Sequence, residues 1–351
     1  MDTLGEGYQI VAMEVKIKTL TPIWTGGIEA GKCDRIHETG LLGSLRWWME
    51  VLVRGMGGVV CDPTEQKCSY DSKKPNNGLC KVCEVFGATG WKRQFRLEVQ
   101  EIEISDAQIK HTITADRTYT NDQGKLKWYF RDSNPPNAPK NGTFIIKIQS
   151  FNPKFKPEII AGLIQFIADW SALGARSQMG FGVIKIECAG IIDTQPLYDW
   201  LILTNGSESD RKLPSLQNIF LAKIHSKDSN FDERSTFDLK YDLRQLFRSD
   251  KNIRHFIMGT VKGDVIAAKV KISRPYKDEN GNIVIRVWGY IPQQADIYNT
   301  IWNRETVVEK IHEHLKNNHN LTLWREINSG RDSETGKMID EKAFLQSLLK
   351  I

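Results

Sequence analysis

Three segments of the chain alternate apolar and polar residues, which is typical of half-buried β-strands. They cover residues 13–22, 94–104 and 143–151, and the first of them, MEVKIKTLTP, is rich in β-branched side chains and stops at a proline. A fourth segment, GVIKIEC at residues 182–188, has the same character. These segments predict four strands.

Two longer segments space their apolar residues at the helical period instead. They are TGLLGSLRWWMEVLVRG at residues 39–55 and PEIIAGLIQFIADWSALG at residues 157–174. The second segment begins with proline and ends with glycine, the residues favoured at the first turn and just past the last turn of a helix. Together the segments follow the order β-α-β-β-α-β, which predicts a ferredoxin-like unit.

The same order repeats more faintly after a polar stretch at residues 204–212. The repeat consists of strands at 218–226, 265–274, 282–290 and 321–327, with helices at 236–248 and 304–318. We therefore predict an α+β fold of two tandem ferredoxin-like (RRM-like) domains, each an antiparallel sheet with helices on one face. The predicted domains cover residues 13–190, with insertions at about 57–90 and 105–142, and residues 213–351.

Length and charge change this picture little. A chain of 351 residues is long enough for two domains, and its net charge of +5 permits a nucleic-acid partner without requiring one. No apolar run approaches the ~18 residues of a membrane helix, and the polar N-terminus lacks a signal-peptide core. We expect a soluble cytoplasmic protein without a membrane partner.

The helix at residues 39–55 carries two adjacent tryptophans that cannot share one face. At about 100° per residue, Trp48 falls on the apolar arc and is predicted to lie in the core, whereas Trp47 falls on the opposite arc. A flat ring beside arginines and a bare backbone could stack on single-stranded nucleic acid. Alternatively, Trp47 packs under an insertion or against the second domain, while Arg46 and Glu50 pair at i,i+4. The predicted contacts on this arc are Gly43, Ser44, Arg46, Trp47 and Arg54.

Two further segments have nucleic-acid character. In GARSQMGFG, at residues 174–182, glycines would allow close approach of a ligand, although a helix C-cap followed by a tight turn into the strand is the alternative. The insertion at 105–142 interleaves basic and aromatic residues, which either bind a single strand or fill a local cluster. The predicted contacts are Arg176, Ser177 and Gln178 in the first segment, Arg117, Lys127, Trp128 and Arg131 in the second, and the additional charges Lys92 and Arg93.

Four of the six cysteines crowd together in a C-x6-C-x11-C-x2-C pattern. In a cytoplasmic chain such crowding favours a metal over disulfides, and a structural zinc site would tie down a segment with little core of its own. The first spacing is wider than the usual C-x2–4-C, so free thiols or a disulfide formed on oxidation are the alternatives. The predicted ligands are Cys61, Cys68, Cys80 and Cys83.

An enzymatic function would rest on His37, in CDRIHETG just before the first predicted helix. A histidine can act as general acid or base in RNA cleavage, with Lys32 or Arg35 nearby. However, Asp34 and Glu38 beside it could equally make His37 an uninvolved surface residue. We expect no catalytic residues.

Four motifs together resemble the RAMP superfamily of CRISPR-associated RNA-binding proteins. They are TPIWTGG, TGLLGSLRWWMEVLVRG, CEVFGATGW and GARSQMGFG. More narrowly, they are similar to the family of first subunits of the Cmr complex, the type III-B RNA-silencing effector. The resemblance implies ferredoxin-like domains and a non-catalytic subunit that contacts guide RNA near its 3′ region, the paired target RNA, and other Cmr subunits. The alternatives are a metal-independent endoribonuclease that processes CRISPR transcripts, and a protein-only scaffold.

Overall fold

We describe the protein from a computed structural model. It describes residues 12–29, 31–62, 65, 67–107, 112–118, 125–129, 138–187, 191–204, 212–225, 232–260, 265–293, 303–336 and 340–351, with the backbone alone for 112–118 and 125–129.

The first unit has the predicted ferredoxin-like topology. Its main sheet has the strand order β2-β5-β1-β6 with every neighbouring pair antiparallel, and β3 pairs with β4 in a separate hairpin. Its elements are β1 (Ala12–Thr19), α1 (Glu38–Gly55), α2 (Lys81–Phe86), β2 (Phe95–Asp106), β3 (Thr112–Thr118), β4 (Lys125–Tyr129), β5 (Lys140–Ser150), α3 (Glu158–Trp170) and β6 (Ile184–Ile186).

The second unit repeats the arrangement. The strand order is β11-β7-β10-β8, again antiparallel throughout, and the short β9 also pairs with β10. The predicted fold class is therefore confirmed. The elements are α4 (Gln195–Ile202) in the linker, then β7 (Ile219–His225), α5 (Glu233–Gln245), α6 (Lys251–Met258), β8 (Val270–Ile272), β9 (Tyr276–Lys277), β10 (Ile283–Tyr290), α7 (Arg304–Asn318), β11 (Asn320–Arg325) and α8 (Glu341–Leu349).

The second sheet is buried on both faces. Ile285 and Val287 of β10 pack in the core with α5 and α7, whereas Trp288 points the other way into the core of the first unit. In β7, Phe220 packs in the core of the second unit, and the next residue, Leu221, packs in the core of the first unit. A strand covered on both faces needs apolar residues at every position, which explains the continuous apolar run IFLA.

The C-terminal helix packs on the first unit. The carbonyl of Leu348 in α8 accepts a hydrogen bond from the Trp170 indole at 2.8 Å, and that of Leu349 accepts one from the Thr194 hydroxyl at 2.8 Å. The chain therefore returns to the first unit after completing the second sheet. The predicted second domain, residues 213–351, includes this returning helix.

The first insertion contains the four clustered cysteines and α2. We call residues 61–93 the cysteine segment. It contributes few buried apolar side chains of its own, chiefly Leu79, Val82 and Val85. Interactions other than apolar packing must therefore hold most of the backbone of this segment in place.

Candidate functional site

The second half of α1 is buried on all sides, which corrects the predicted exposed arc. Residues 50–55 are all buried, and Arg54 is only 3% exposed. The Arg54 guanidinium donates to the carbonyl oxygens of Pro214 at 3.2 Å and Cys61 at 3.5 Å, and it pairs with Glu50 at 3.5 Å. The predicted placement of Arg54 on a solvent-facing arc is wrong, because the linker and the cysteine segment cover that side of the helix.

Arg46 also points into the protein. Its guanidinium donates to the Sγ of Cys83 at 2.9 Å, to the carbonyl of Gly87 at 3.1 Å and to Glu50 at 3.1 Å. The alternative prediction of an i,i+4 pair between Arg46 and Glu50 is therefore confirmed. With its hydrogen bonds directed at protein groups, Arg46 is poorly placed to bind phosphate.

The two tryptophans differ as the helical period predicts. Trp48 is 3% exposed and meets Phe166 of α3 edge to face at 5.4 Å, which confirms it as a core residue. Trp47 is half-buried, with the Lys271 ammonium of β8 lying 5.2 Å from its ring centroid. Burial lowers the pKa of Lys271 to about 8. Trp47 thus lies against the second unit, as the alternative prediction proposed.

The start of α1 is more open. Gly43 is exposed, and a Cβ placed on it would have no neighbour within 4 Å, while Ser44 is half-buried. Because α1 begins at Glu38, the Gly43 amide lies in the second turn, where it bonds within the helix rather than to a ligand.

The four cysteines converge on one point. The Sγ atoms of Cys61, Cys68, Cys80 and Cys83 all lie within 4.8 Å of one another. The Cys61 Sγ is 3.5 Å from that of Cys83 and 3.8 Å from that of Cys80, too far for a disulfide bond of about 2.05 Å. Hydrogen bonding with Cys61 and Cys83 lowers the pKa of Cys80 and so favours its thiolate, the form that binds a metal. The cluster can hold a metal ion.

The glycine-rich segment at residues 174–182 belongs to a column of two stacked aromatic rings with a guanidinium group at each end. The Arg176 guanidinium lies 3.7 Å from the centroid of the Trp24 ring, and Trp24 stacks on Phe181 with centroids 6.4 Å apart. On the far side, the buried Arg274 of the second unit lies 4.7 Å from the Phe181 ring. The column fixes Arg176 and joins the segment to both units.

Protein contacts account for two glycines of this segment. Gly180 and Gly182 have φ values of 83° and 90°, in the left-handed region. A Cβ on Gly180 would lie 2.6 Å from the backbone nitrogen of Arg274, and one on Gly182 would overlap the carbonyl oxygen of Leu173. Close packing against protein backbone therefore explains why glycine is required at these two positions, and no ligand is needed to explain it.

Trp24 and Thr25 bring the two predicted sites together. The Ala175 amide donates to the Trp24 carbonyl at 2.7 Å, and the His37 amide at the start of α1 donates to the Thr25 hydroxyl at 2.9 Å. The start of α1 and the glycine-rich segment therefore rest on the same two residues. Beside the junction, Ser177 is half-buried and Gln178 is exposed.

His37 is engaged with its neighbour. Its Nε2 lies 2.7 Å from Asp34 Oδ1, and this hydrogen bond lowers the pKa of Asp34. The two cations considered as its helpers have acidic partners, since Arg35 pairs with Glu38 at 3.1 Å and Lys32 pairs with Glu29.

The remaining predicted contacts are scattered. Lys92 is exposed, whereas Arg93 is half-buried and donates to the Phe95 carbonyl at 2.6 Å. In the second insertion the backbone is described for Arg117 in β3 and for Lys127 and Trp128 in β4, but their side chains, and Arg131 entirely, lie outside the described residues.

Neither the open face of the first sheet nor the interdomain cleft holds the predicted contacts. RRM domains stack bases on aromatic residues of the sheet, but among the described residues this face carries charges, such as Lys147 and Glu14 paired at 2.9 Å. A cleft of about 990 Å³ between β6 and the β9–β10 hairpin contains none of the predicted residues. Its lining mixes both charges: the cations are Lys185, Lys223, Lys277, Arg286 and Lys350, and the carboxylates are Asp169, Asp193, Asp278 and Glu279.

Trp24, Phe181 and Arg274 belong to this site but were not predicted from the sequence. Phe181 lies between Gly180 and Gly182, and Trp24 lies two residues before Gly26, so an aromatic residue close to a glycine turn was the available signal. Arg274 had no local signal, because its role depends on how the two units pack.

Comparison with known proteins gives one family and two similar structures. Residues 16–185 match the family model of the RAMP superfamily. The crystal structure of Cmr1 from Pyrococcus furiosus (apo form) is similar, with 12% identity, a TM-score of 0.49, and coverage of 89% of this chain and 98% of that chain. Cmr6 from Pyrococcus furiosus has 14% identity, a TM-score of 0.29, and coverage of 52% and 100%. No curated protein sequence matches the chain. Within the described residues, no helix is long and apolar enough to cross a membrane.

Proposed function

We propose that the protein, whose residues 16–185 match the family model of the RAMP superfamily, is a non-catalytic, RNA-binding subunit of a type III-B CRISPR effector complex. In this role it contacts guide RNA near the 3′ region, or the paired target RNA, and other Cmr subunits in the cytoplasm. The four motifs that resemble first subunits of the Cmr complex support the narrower assignment.

One observation carries the RNA-binding proposal: Arg176 is stacked on Trp24 where the glycine-rich segment meets the start of α1. An arginine side chain that is already ordered by stacking on an aromatic ring loses little further conformational entropy when its guanidinium binds a phosphate oxygen. Ser177 and the exposed Gln178 add polar groups suited to phosphate and ribose. Arg46 and Arg54 are not part of this site, since both are engaged inside the protein.

We further propose that the cysteine cluster binds structural zinc. A tetrahedral ion with Zn–S bonds of about 2.3 Å separates its sulfurs by about 3.8 Å, and in the structure the Cys61 Sγ lies 3.5 Å from that of Cys83 and 3.8 Å from that of Cys80. The hydrogen bond from Arg46 to the Cys83 Sγ would balance part of the negative charge of four thiolates. Such a site is closed, so it would hold the cysteine segment in place without taking part in catalysis.

The RNA-binding proposal is tested by the affinity of the purified chain for labelled single-stranded RNA. Arg176→Ala is expected to weaken binding about tenfold, the effect of losing roughly 1.4 kcal/mol of charge-assisted contact. Arg35→Ala is the control, because Arg35 is an exposed arginine already paired with Glu38. A chain that does not bind RNA even at low salt, or whose binding is insensitive to both salt and Arg176→Ala, would point to the protein-only scaffold.

Absence of catalysis is tested separately. Labelled CRISPR transcript incubated with the chain in the presence of a chelator is expected to remain intact. Cleavage that disappears in His37→Ala would establish the endoribonuclease alternative instead.

A further inference from the structure

An aromatic pair lies on the surface of the cysteine segment, away from both hydrophobic cores. Tyr70 and Trp91 stack with centroids 5.4 Å apart and an interplanar angle of 18°. Tyr70 is 40% exposed, and neither ring belongs to a described core cluster. Trp91 is half-buried, so the stacked pair is partly open to solvent and is not used to build a core for the segment.

The surrounding backbone holds this pair rigidly. The Tyr70 amide donates to the Thr89 carbonyl at 2.9 Å, and the Trp91 indole donates to the Glu84 carbonyl at 2.9 Å. Ala88 and Trp91 exchange two backbone hydrogen bonds of 3.1 and 3.0 Å, which close a tight turn. The two rings are therefore fixed before any partner arrives.

Three lysines of the cysteine segment accompany the pair. Lys67, Lys73 and Lys92 are exposed and make no ion pair with any residue that the structure describes. Lys92 follows Trp91 directly, and Lys73 lies three positions after Tyr70. Unpaired ammonium groups beside a fixed aromatic platform have the composition of a surface that binds a single nucleic-acid strand.

We infer that Tyr70 and Trp91, with Lys67, Lys73 and Lys92, form a second contact surface for single-stranded RNA, separate from the Arg176 site. The inference rests on the proposed RNA-binding function and extends it to the cysteine segment. A base stacks on the exposed part of the aromatic pair while the lysines neutralise phosphates on either side. In this arrangement the cysteine cluster would hold the stacked rings of Tyr70 and Trp91 in place on the first unit.

The full chain, purified without chelator, is the material for the test, and its affinity for a fluorescein-labelled oligouridylate is measured over a range of salt concentrations. Trp91→Leu is expected to weaken binding by between about fivefold and a hundredfold if one base stacks there. The triple variant Lys67→Ala, Lys73→Ala, Lys92→Ala is expected to flatten the plot of log affinity against log salt by about 2, at roughly 0.7 per phosphate contact.

The matched control removes three exposed lysines from the second unit: Lys251→Ala, Lys316→Ala and Lys342→Ala. It has the same net charge as the test variant, so it separates local contacts from general electrostatics. Metal content and melting temperature of each variant show whether the segment stays folded. The lysine variants alter no packed side chain, so they test the surface even if Trp91→Leu disturbs it.

The inference is overturned if the test and control triple variants bind RNA with equal affinity and equal salt slope. If that happens while Arg176→Ala still weakens binding, only this surface is wrong and the proposed function stands. If the unmodified chain does not bind RNA at all, both are wrong. Variants that bind RNA normally but no longer join other subunits would make the pair a protein contact, which also overturns the inference.

Discussion

Replacing Arg54 with alanine tests the corrected picture of α1, in which this arginine joins the helix to the linker and the cysteine segment. Removing one partner of a buried ion pair typically costs about 3–5 kcal/mol. Here Glu50 keeps its bond to Arg46 at 3.1 Å, so part of that cost is avoided. The carbonyl oxygens of Pro214 and Cys61 lose their donor. We expect a loss of about 2–3 kcal/mol in the free energy of unfolding.

Urea unfolding followed by circular dichroism measures this loss, with RNA affinity measured on the same samples. Arg35→Ala is the control, because an exposed pair such as that of Arg35 with Glu38 contributes only about 0–1 kcal/mol. The folded fraction of Arg54→Ala is expected to bind RNA like the unmodified chain. Unchanged stability together with weakened RNA binding would refute the structural role and restore Arg54 to the nucleic-acid surface.

Three further substitutions test other parts of the account. Trp48→Ala empties a core position and is expected to lower the free energy of unfolding in urea by about 3–5 kcal/mol. Trp47 is half-buried, so Trp47→Ala is expected to lower it by only about 1–2 kcal/mol. Equal losses for the two variants would show that both rings are fully enclosed. Cys83→Ser is expected to lower bound zinc from about one per chain, since all four ligands are needed, and zinc retention in mass spectrometry would contradict this. Gly182→Ala forces a side chain against the Leu173 carbonyl and is expected to lower the melting temperature; a melting temperature equal to that of the unmodified chain would show that this turn tolerates a side chain.

The topology of both units was predictable because their elements have strong local patterns. The helix predicted at residues 304–318 matches α7, whose start is capped by the Asn303 side chain accepting from the Thr306 amide. The turn residues of DENG at residues 278–281 lie between the strands predicted at 265–274 and 282–290 and are typical of a hairpin; the Asp278 carboxylate accepts from the Asn280 and Asn282 amides. Local side-chain chemistry of this kind is visible in sequence.

The face of α1 could be predicted only in part, because its surroundings come from distant parts of the chain. Periodicity placed Trp48 correctly in the core. It could not show that the linker would cover the other side, where the side chain of Leu216 lies too close for Gly55 to carry a Cβ. The helical wheel assumes that a helix has one buried face, and the end of α1 has no exposed face at all.

The cysteine cluster was predictable from the sequence, whereas the contacts of the Arg176 column were not. Four crowded cysteines predicted a ligand set, and the structure brings all four sulfurs together despite the wide first spacing. The contacts of the column were not predictable, since Trp24 is far from Arg176 in sequence and Arg274, which lies against Phe181, belongs to the second unit. Contacts between elements far apart in sequence leave no periodic signal.

The central claim, an RNA-binding subunit of a type III-B effector, is tested most directly by purifying the tagged chain from cells that contain the complex. RNA crosslinked to the chain is sequenced, and the co-purified proteins and crosslinked peptides are identified by mass spectrometry. We expect CRISPR guide RNA, other Cmr subunits, and crosslinks in the glycine-rich segment at residues 174–182. A chain that elutes with neither RNA nor Cmr subunits, although the complex itself is present in the lysate, would contradict the account.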